Sequence, residues 1–337
     1  MALWTPALID TALWLDAADS STITESGGAV SQWDDKSGND LHVTQGGSTA
    51  QPGYISGALN GLNVVRFDGS NDFLWRGASG AFRNRSSMLI YSVLNPTSVL
   101  SDRRYLNVTT PSSNDAALVL LGVGRSVSKW VIAGRRLHAD SYVEKFSSGN
   151  ASGATIVGNL YDYQGASYEM FIDGVSEGSS AFQTSGNTAD ADEQRIAIGV
   201  AAGLSTTFWY GDIAEQVLVP DDVTTETRHK IEGYLAWKWG LEANLPGEHP
   251  YKNAAPVSAF VWRFYGTVRD KNGALSERRV TAILDSTGEC VGTALSDPVT
   301  GEYAVETTVD EPHTLIFTGE ADRNALVYTG VMPEEVP

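Results

Sequence analysis

The sequence predicts an all-β chain: an antiparallel β-sandwich closed by a single amphipathic helix, followed by a smaller sandwich of immunoglobulin-like size. Three observations predict it. Short runs of β-branched and aromatic residues recur through the chain and are punctuated by turn clusters. Only one segment has helical spacing, so strands do not alternate with helices as in a doubly wound sheet. Finally, 337 residues with 42% hydrophobic content supply apolar material for two cores, and a breaker-rich stretch falls where two cores would part.

In chain order, the predicted strands of the first part include Val64 to Phe67, Met88 to Leu94, Leu118 to Val123, Trp130 to Ala133, Thr155 to Leu160, Tyr168 to Ile172, Arg195 to Val200 and Ile213 to Val219. The sharpest hairpin signal is Asp173-Gly174, between Tyr168 to Ile172 and Val175, because Asp-Gly tolerates the positive φ angles of a tight type I′ connection. After Pro220 the stretch Thr224 to Leu241 spaces Ile231, Tyr234, Leu235, Lys238 and Trp239 by three and four, with capping candidates before it and Gly240 at its end. Trp237 and Trp239 on this helix have the rings to stack on sugars, but docking of at least one on the sandwich is the expected fate. Leu245-Pro246-Gly247, His249-Pro250 and Ala255-Pro256 then mark a linker over about 244–256, which divides the chain into 1–256 and 257–337.

The second part opens with a strand over Phe260 to Arg269 and a turn at Lys271-Asn272-Gly273. Arg279 to Leu284 alternates in period two, Ser286-Thr287-Gly288 turns into Cys290 to Leu295, and Asp297 to Gly301 turns into Glu302 to Thr307. Thr314 to Phe317 and Ala325 to Tyr328 complete the set. Cys290, the sole cysteine, is expected to be a small buried hydrophobe. One cysteine also excludes a disulfide framework and a multi-cysteine zinc site.

Charge narrows the function classes. The formal net charge is −18, with −7 in residues 257–337 and −11 before them. Neither part has a surface suited to following a phosphate backbone, so nucleic acid is not an expected partner. No run approaches the ~20 apolar residues of a membrane span, and the N-terminus lacks the basic region of a secretion signal, so synthesis in a cytoplasm without export is expected.

Several stretches of the first part resemble the concanavalin A-like lectin/glucanase superfamily, in the laminin-G-like form found in tailed-bacteriophage virion proteins. They are Leu13-Trp14-Leu15-Asp16-Ala17, Val30 to Asn39 around Trp33, Val64 to Asp72, and Ile231 to Gly240. The resemblance spans most of residues 8–252 and implies a jelly-roll sandwich with a face able to hold a glycan. Residues 257–337 resemble the immunoglobulin-like or carboxypeptidase-regulatory-like domains that follow such lectin-like domains, through Tyr265 to Asp270, Arg279 to Ala282, Ser296 to Tyr303 and Asn324 to Val327. The pairing implies a virion surface component made in the host cytoplasm, tail-associated and receptor-binding or, alternatively, a capsid decoration protein. Its expected partners are other virion proteins, further copies of itself and a host-surface glycan.

Catalytic chemistry is thinly represented. A retaining glycosidase needs two carboxylates about 5 Å apart. The glucanase pattern Glu-x-Asp-x-x-Glu has its nearest match in Tyr210 to Glu215, which keeps Asp212 and Glu215 but places Tyr210 at the first glutamate. The expectation is therefore a non-enzymatic protein, with glycoside hydrolysis as the competing class. His42, His138, His229, His249 and His313 stand singly, and no spacing among them supports a metal site.

Two stretches have the composition of a sugar platform, an aromatic face flanked by polar groups: Trp209 and Tyr210 beside Asp212, and Tyr161 with Tyr163. For Ca²⁺, a hard ion that takes oxygen ligands, Asp68, Asn71 and Asp72 are the candidates, with Asp34, Asp35 and Asn39 as a second acidic turn. Both turns read equally as Asx turns whose side chains cap backbone N–H groups.

Overall fold

The computed structural model describes residues 3–100, 102–124, 128–221, 223–257, 262–269, 274, 277–307, 311–318 and 326–335. The expected Lys271-Asn272-Gly273 turn and the starts of two predicted strands, at Phe260 and Ala325, lie outside them. The contact pattern divides the chain into two units, Trp4–Pro256 and a second unit that starts at Val257 and includes Leu3.

The larger unit is a jelly-roll sandwich of two antiparallel layers. In one layer the strands run in the order Leu13–Asp16, Tyr210–Pro220, Ser87–Pro96, Thr155–Asp162, Ser167–Ile172, Val175–Ala181. In the other they run Leu74–Gly77, Arg195–Ile198, Arg103–Thr110, Ser113–Gly124, Lys129–Gly134, Val143–Asn150. Period-two alternation sends Ile90, Leu106, Val119, Ile132, Val157 and Ile198 into the shared core. The Asp173-Gly174 connection forms as its sequence dictates, with φ of 49° and 81°.

The helix Thr225–Trp239 starts at Thr224, whose hydroxyl accepts the Thr227 N–H at 3.1 Å, and stops at Gly240 in the left-handed region (φ 64°). It packs on Ser87–Pro96 and Thr155–Asp162. Its buried face is wider than an amphipathic stripe, because Glu232 and Gly233 are buried beside Ile231, Leu235 and Trp239. Gly233 is required there: a Cβ would lie 2.6 Å from the Cβ of Tyr251, in the segment that returns along the helix. The ends of the unit meet where the Trp4 N–H donates to the Pro256 carbonyl at 2.9 Å. Among the described residues, no helix is long and apolar enough to cross a membrane.

The described residues of the second unit form two antiparallel sheets. One orders Glu302–Thr307, Trp262–Thr267 and Glu334–Glu335; the other orders Cys290–Leu295, Arg279–Leu284, His313–Thr318 and Leu326–Val331. Val280, Ala282 and Leu284 point inward, and Phe264, Val305 and Leu315 join the first two in the core. Cys290 corrects the sequence expectation. It opens a strand at the edge of the four-stranded sheet and is exposed.

Candidate functional site

The strand Tyr210–Pro220 carries Tyr210, Asp212 and Glu215 of the residues that the sequence singles out. A bulge at Ala214, where Ile213 faces Leu94 but Glu215 faces Val93, turns Asp212 and Glu215 to the same outer side of the layer. That side is where the helix packs, and both carboxylates are held in place.

Glu215 is fully buried. It accepts from Trp14 Nε1 at 2.7 Å, Tyr234 Oη at 2.7 Å and Trp239 Nε1 at 2.6 Å, and Lys238 Nζ lies 2.7 Å away. The same Lys238 ammonium reaches Asp16 at 2.6 Å, and Lys36 bridges Asp16 and Asp19 at 2.9 and 2.7 Å. Burial pushes the Glu215 carboxyl up, against the pull of Lys238. The Lys36 hydrogen bond holds the Asp19 carboxyl down, at about 2. Asp212, also buried, takes two guanidinium bonds from Arg66 at 2.6 and 3.1 Å and one from Asn95 at 3.2 Å. No lone pair of Glu215 is left facing solvent, so this pair cannot meet a glycosidic oxygen or a water in the present arrangement.

The proposed sugar platforms divide in the same way. Trp209 is buried, stacked on Trp130 at 6.3 Å and edge-on to Tyr105 at 5.6 Å. Tyr161 and Tyr163 are buried and stack on each other at 5.9 Å and on Phe182 at 6.2 and 5.5 Å. These three are core residues, and the reading of them as ligand platforms is corrected: Tyr161 points inward on Thr155–Asp162, and Tyr163 and Trp209, which flank the ends of Thr155–Asp162 and Tyr210–Pro220, keep the same inward side. Burial raises both tyrosine hydroxyls far above their ordinary range. Trp14 and Trp33 are buried as well, and of the two helix tryptophans Trp239 is buried while Trp237 is partly exposed.

Tyr210 is different. The residue is 36% exposed at the end of the sandwich where the strand begins. The guanidinium carbon of Arg103 stands 5.8 Å from the ring centroid, and Arg103 Nη1 is anchored by the carbonyls of Gly69 at 2.6 Å and Phe208 at 2.9 Å. Gly69 (φ 74°) permits this approach, because a Cβ there would sit 2.6 Å from Tyr210 Cβ. Half-buried Phe73 and Phe208 lie side by side at 6.4 Å, and Leu100 in a neighbouring loop is 82% exposed. Sequence reading missed Arg103, Phe73 and Leu100. Their only signal was a pair of adjacent arginines, Arg103 and Arg104, in an acidic chain.

The acidic turn next to this end is an Asx turn. Asp68 Oδ1 accepts from the N–H groups of Ser70 at 2.8 Å and Asn71 at 3.2 Å, Asp72 Oδ2 accepts from the Asp68 N–H at 2.9 Å, and Asn71 donates to the Thr49 carbonyl. Burial pushes the Asp72 carboxyl up to about 6, against the downward pull of the Asp68 N–H that it accepts. The second acidic turn is spent similarly: Asp35 accepts from the N–H groups of Trp14, Ser37 and Leu41.

Folding also gathers a group with metal-ligand chemistry that the sequence spacing hid. One ligand atom each from His229, Glu232 and His249 lie within 4.8 Å of one another. The donor set is already committed. His249 Nδ1 accepts the Tyr251 N–H at 3.2 Å, which leaves the ring proton on Nε2, donated to Glu232 at 2.9 Å. Arg228 donates to Glu232 at 2.7 Å and contacts His229 Nε2 at 2.8 Å, and Tyr91 donates to Glu232 as well. These bonds tie the segment after the helix onto it and put a fixed cation where an ion would sit.

No protein-family model matches the chain, and no curated protein matches it. Among solved structures it is similar to the CBM40 domain of a Ruminococcus gnavus IT-sialidase bound to α2,3-sialyllactose, at 13% identity over 45% of this chain and 94% of that one, TM-score 0.37. It is also similar to domain 4 of a GH43 extracellular arabinanase from Geobacillus stearothermophilus in complex with arabinotriose, at 12% identity over 65% and 96%, TM-score 0.44. A third is a Trypanosoma rangeli sialidase, at 14% identity over 67% and 32%, TM-score 0.44. These neighbours are all-β carbohydrate-binding and glycosidase structures; at such identities and scores they do not bear on ligand or activity here.

Proposed function

We propose that the larger unit is a non-catalytic binding domain that meets a glycan at the loop end around Tyr210, Phe208 and Arg103. The observation that carries this is the contrast along one strand: Tyr210 presents a ring and a neighbouring guanidinium to solvent, whereas Glu215 is sealed under the helix. A sugar would lay an apolar face on Tyr210 while Arg103 and the Asp68–Asp72 turn replace water at its hydroxyls. The sequence resemblance supports placing the chain on the surface of a tailed-phage virion, on the tail for host attachment; capsid decoration is the second reading.

The test is glycan-array screening followed by calorimetry on any hit, with Tyr210→Ala beside wild type and a reducing-sugar assay run in parallel. Binding about tenfold weaker in Tyr210→Ala, with no sugar released, is the expected result. Sugar release lost in Glu215→Gln, or binding indifferent to Tyr210→Ala, overturns it.

A further inference from the structure

The second unit has a cleft of about 790 Å³ whose walls come from the strands Trp262–Thr267 and Glu302–Thr307 and the turn between Leu295 and Glu302. One ring stands open in it: Tyr265 is 61% exposed on the outer face of its sheet, where it pairs with Ala304. Tyr303 pairs with Gly266 on the opposite, core-facing side, edge-on against Phe317 at 5.3 Å, and so leaves Tyr265 as the exposed ring of the cleft. Leu295, 61% exposed, adds an apolar wall.

Three carboxylates, Glu277, Asp297 and Glu302, line the same space, and among the described lining residues there is no lysine or arginine. Asp297 spends Oδ1 on the Val299 and Thr300 N–H groups, both at 2.7 Å, which hold its carboxyl below the usual range and keep it ionised. Arg278, next in sequence to Glu277, directs Nη1 to the Glu277 carbonyl at 2.9 Å.

From this we infer that the cleft is a docking site for a lysine- or arginine-bearing segment of another protein. An anionic occupant would face three like charges, and a wholly apolar one would strip water from them without supplying a countercharge. A long cationic side chain satisfies both walls: its methylene stem lies on Tyr265 and Leu295, and its head group reaches the carboxylates over an aromatic face. The site is separate from the glycan reading of the larger unit and does not depend on it.

The experiment is calorimetry on the full chain with an acetylated, amidated Gly-Lys-Gly-Lys-Gly peptide, its serine and glutamate counterparts, and two salt concentrations. The lysine peptide is expected to bind, more weakly at high salt, and the other two not to. Tyr265→Ala, at an exposed position and checked for unchanged circular dichroism, weakens it about threefold to fivefold. Glu277→Gln with Glu302→Gln weakens it and flattens the salt dependence, whereas Asp10→Asn, an exposed acid on the larger unit, leaves it unchanged and so controls for general attraction to an acidic chain. No binding of the lysine peptide, equal binding of the serine peptide, or binding indifferent to Tyr265→Ala and to the double variant overturns the inference.

Discussion

At one end of the strand Tyr210–Pro220, Tyr210 stands beside Arg103 in solvent; a few residues on, Glu215 stands among Trp14, Tyr234, Trp239 and Lys238 with no exposure at all. Both regions combine aromatic rings, a carboxylate and a cation, the ingredients by which a sugar site is sought in sequence. What separates them is cover. The helix lies over Glu215 and ends at Gly240, leaving Tyr210 open. Composition of a patch therefore says what chemistry it could perform, and only the neighbouring element decides whether that chemistry is turned to a ligand or to the fold.

The comparison breaks most visibly at Lys238. Lys238→Met removes the ammonium shared by Asp16 and Glu215 and leaves two buried carboxylates short of a cation, at a cost of about 3–5 kcal/mol in urea unfolding. A loss under about 1 kcal/mol would mean that the buried end is not held by this network.

A smaller effect sharpens the account of the open end. The Asp72 carboxyl, raised to about 6 against 3.8 in an unfolded chain, binds its proton more tightly when folded. Its contribution to stability is full below the unfolded value and is lost as pH rises through about 6. The wild-type advantage over Asp72→Asn should thus shrink between pH 4 and pH 7 in parallel denaturation series, and a growing advantage would contradict the burial argument.

The smallest change is expected at Tyr210 itself. Tyr210→Ala should shift stability by no more than about 0.5 kcal/mol, because the ring is partly exposed and its loss opens no core cavity. A larger loss would assign Tyr210 to the fold and close the gap between the two ends.

Local features were legible in the sequence because their causes are local. The Asp173-Gly174 hairpin, the Gly240 helix end and the period-two alternation of Arg279 to Leu284 each follow from a few adjacent residues. The fate of the rings was not legible. Trp209 and Tyr210 are neighbours in sequence, yet alternation sends one between the layers and the other to the rim, and sequence alone leaves open which face is which. The Trp14–Glu215 bond joins residues 201 positions apart, and His249 meets Glu232 only because a breaker-rich segment doubles back along the helix. Cys290 misled for a related reason: its small apolar character suits a core, but the sheet order sets its strand at an edge.

The bond between Trp4 and Pro256 has an architectural consequence. Entry and exit of the larger unit coincide, so the jelly-roll body is built as a cassette: grafted into a surface loop of an unrelated carrier, it would ask that loop to open by little more than a strand spacing of about 5 Å.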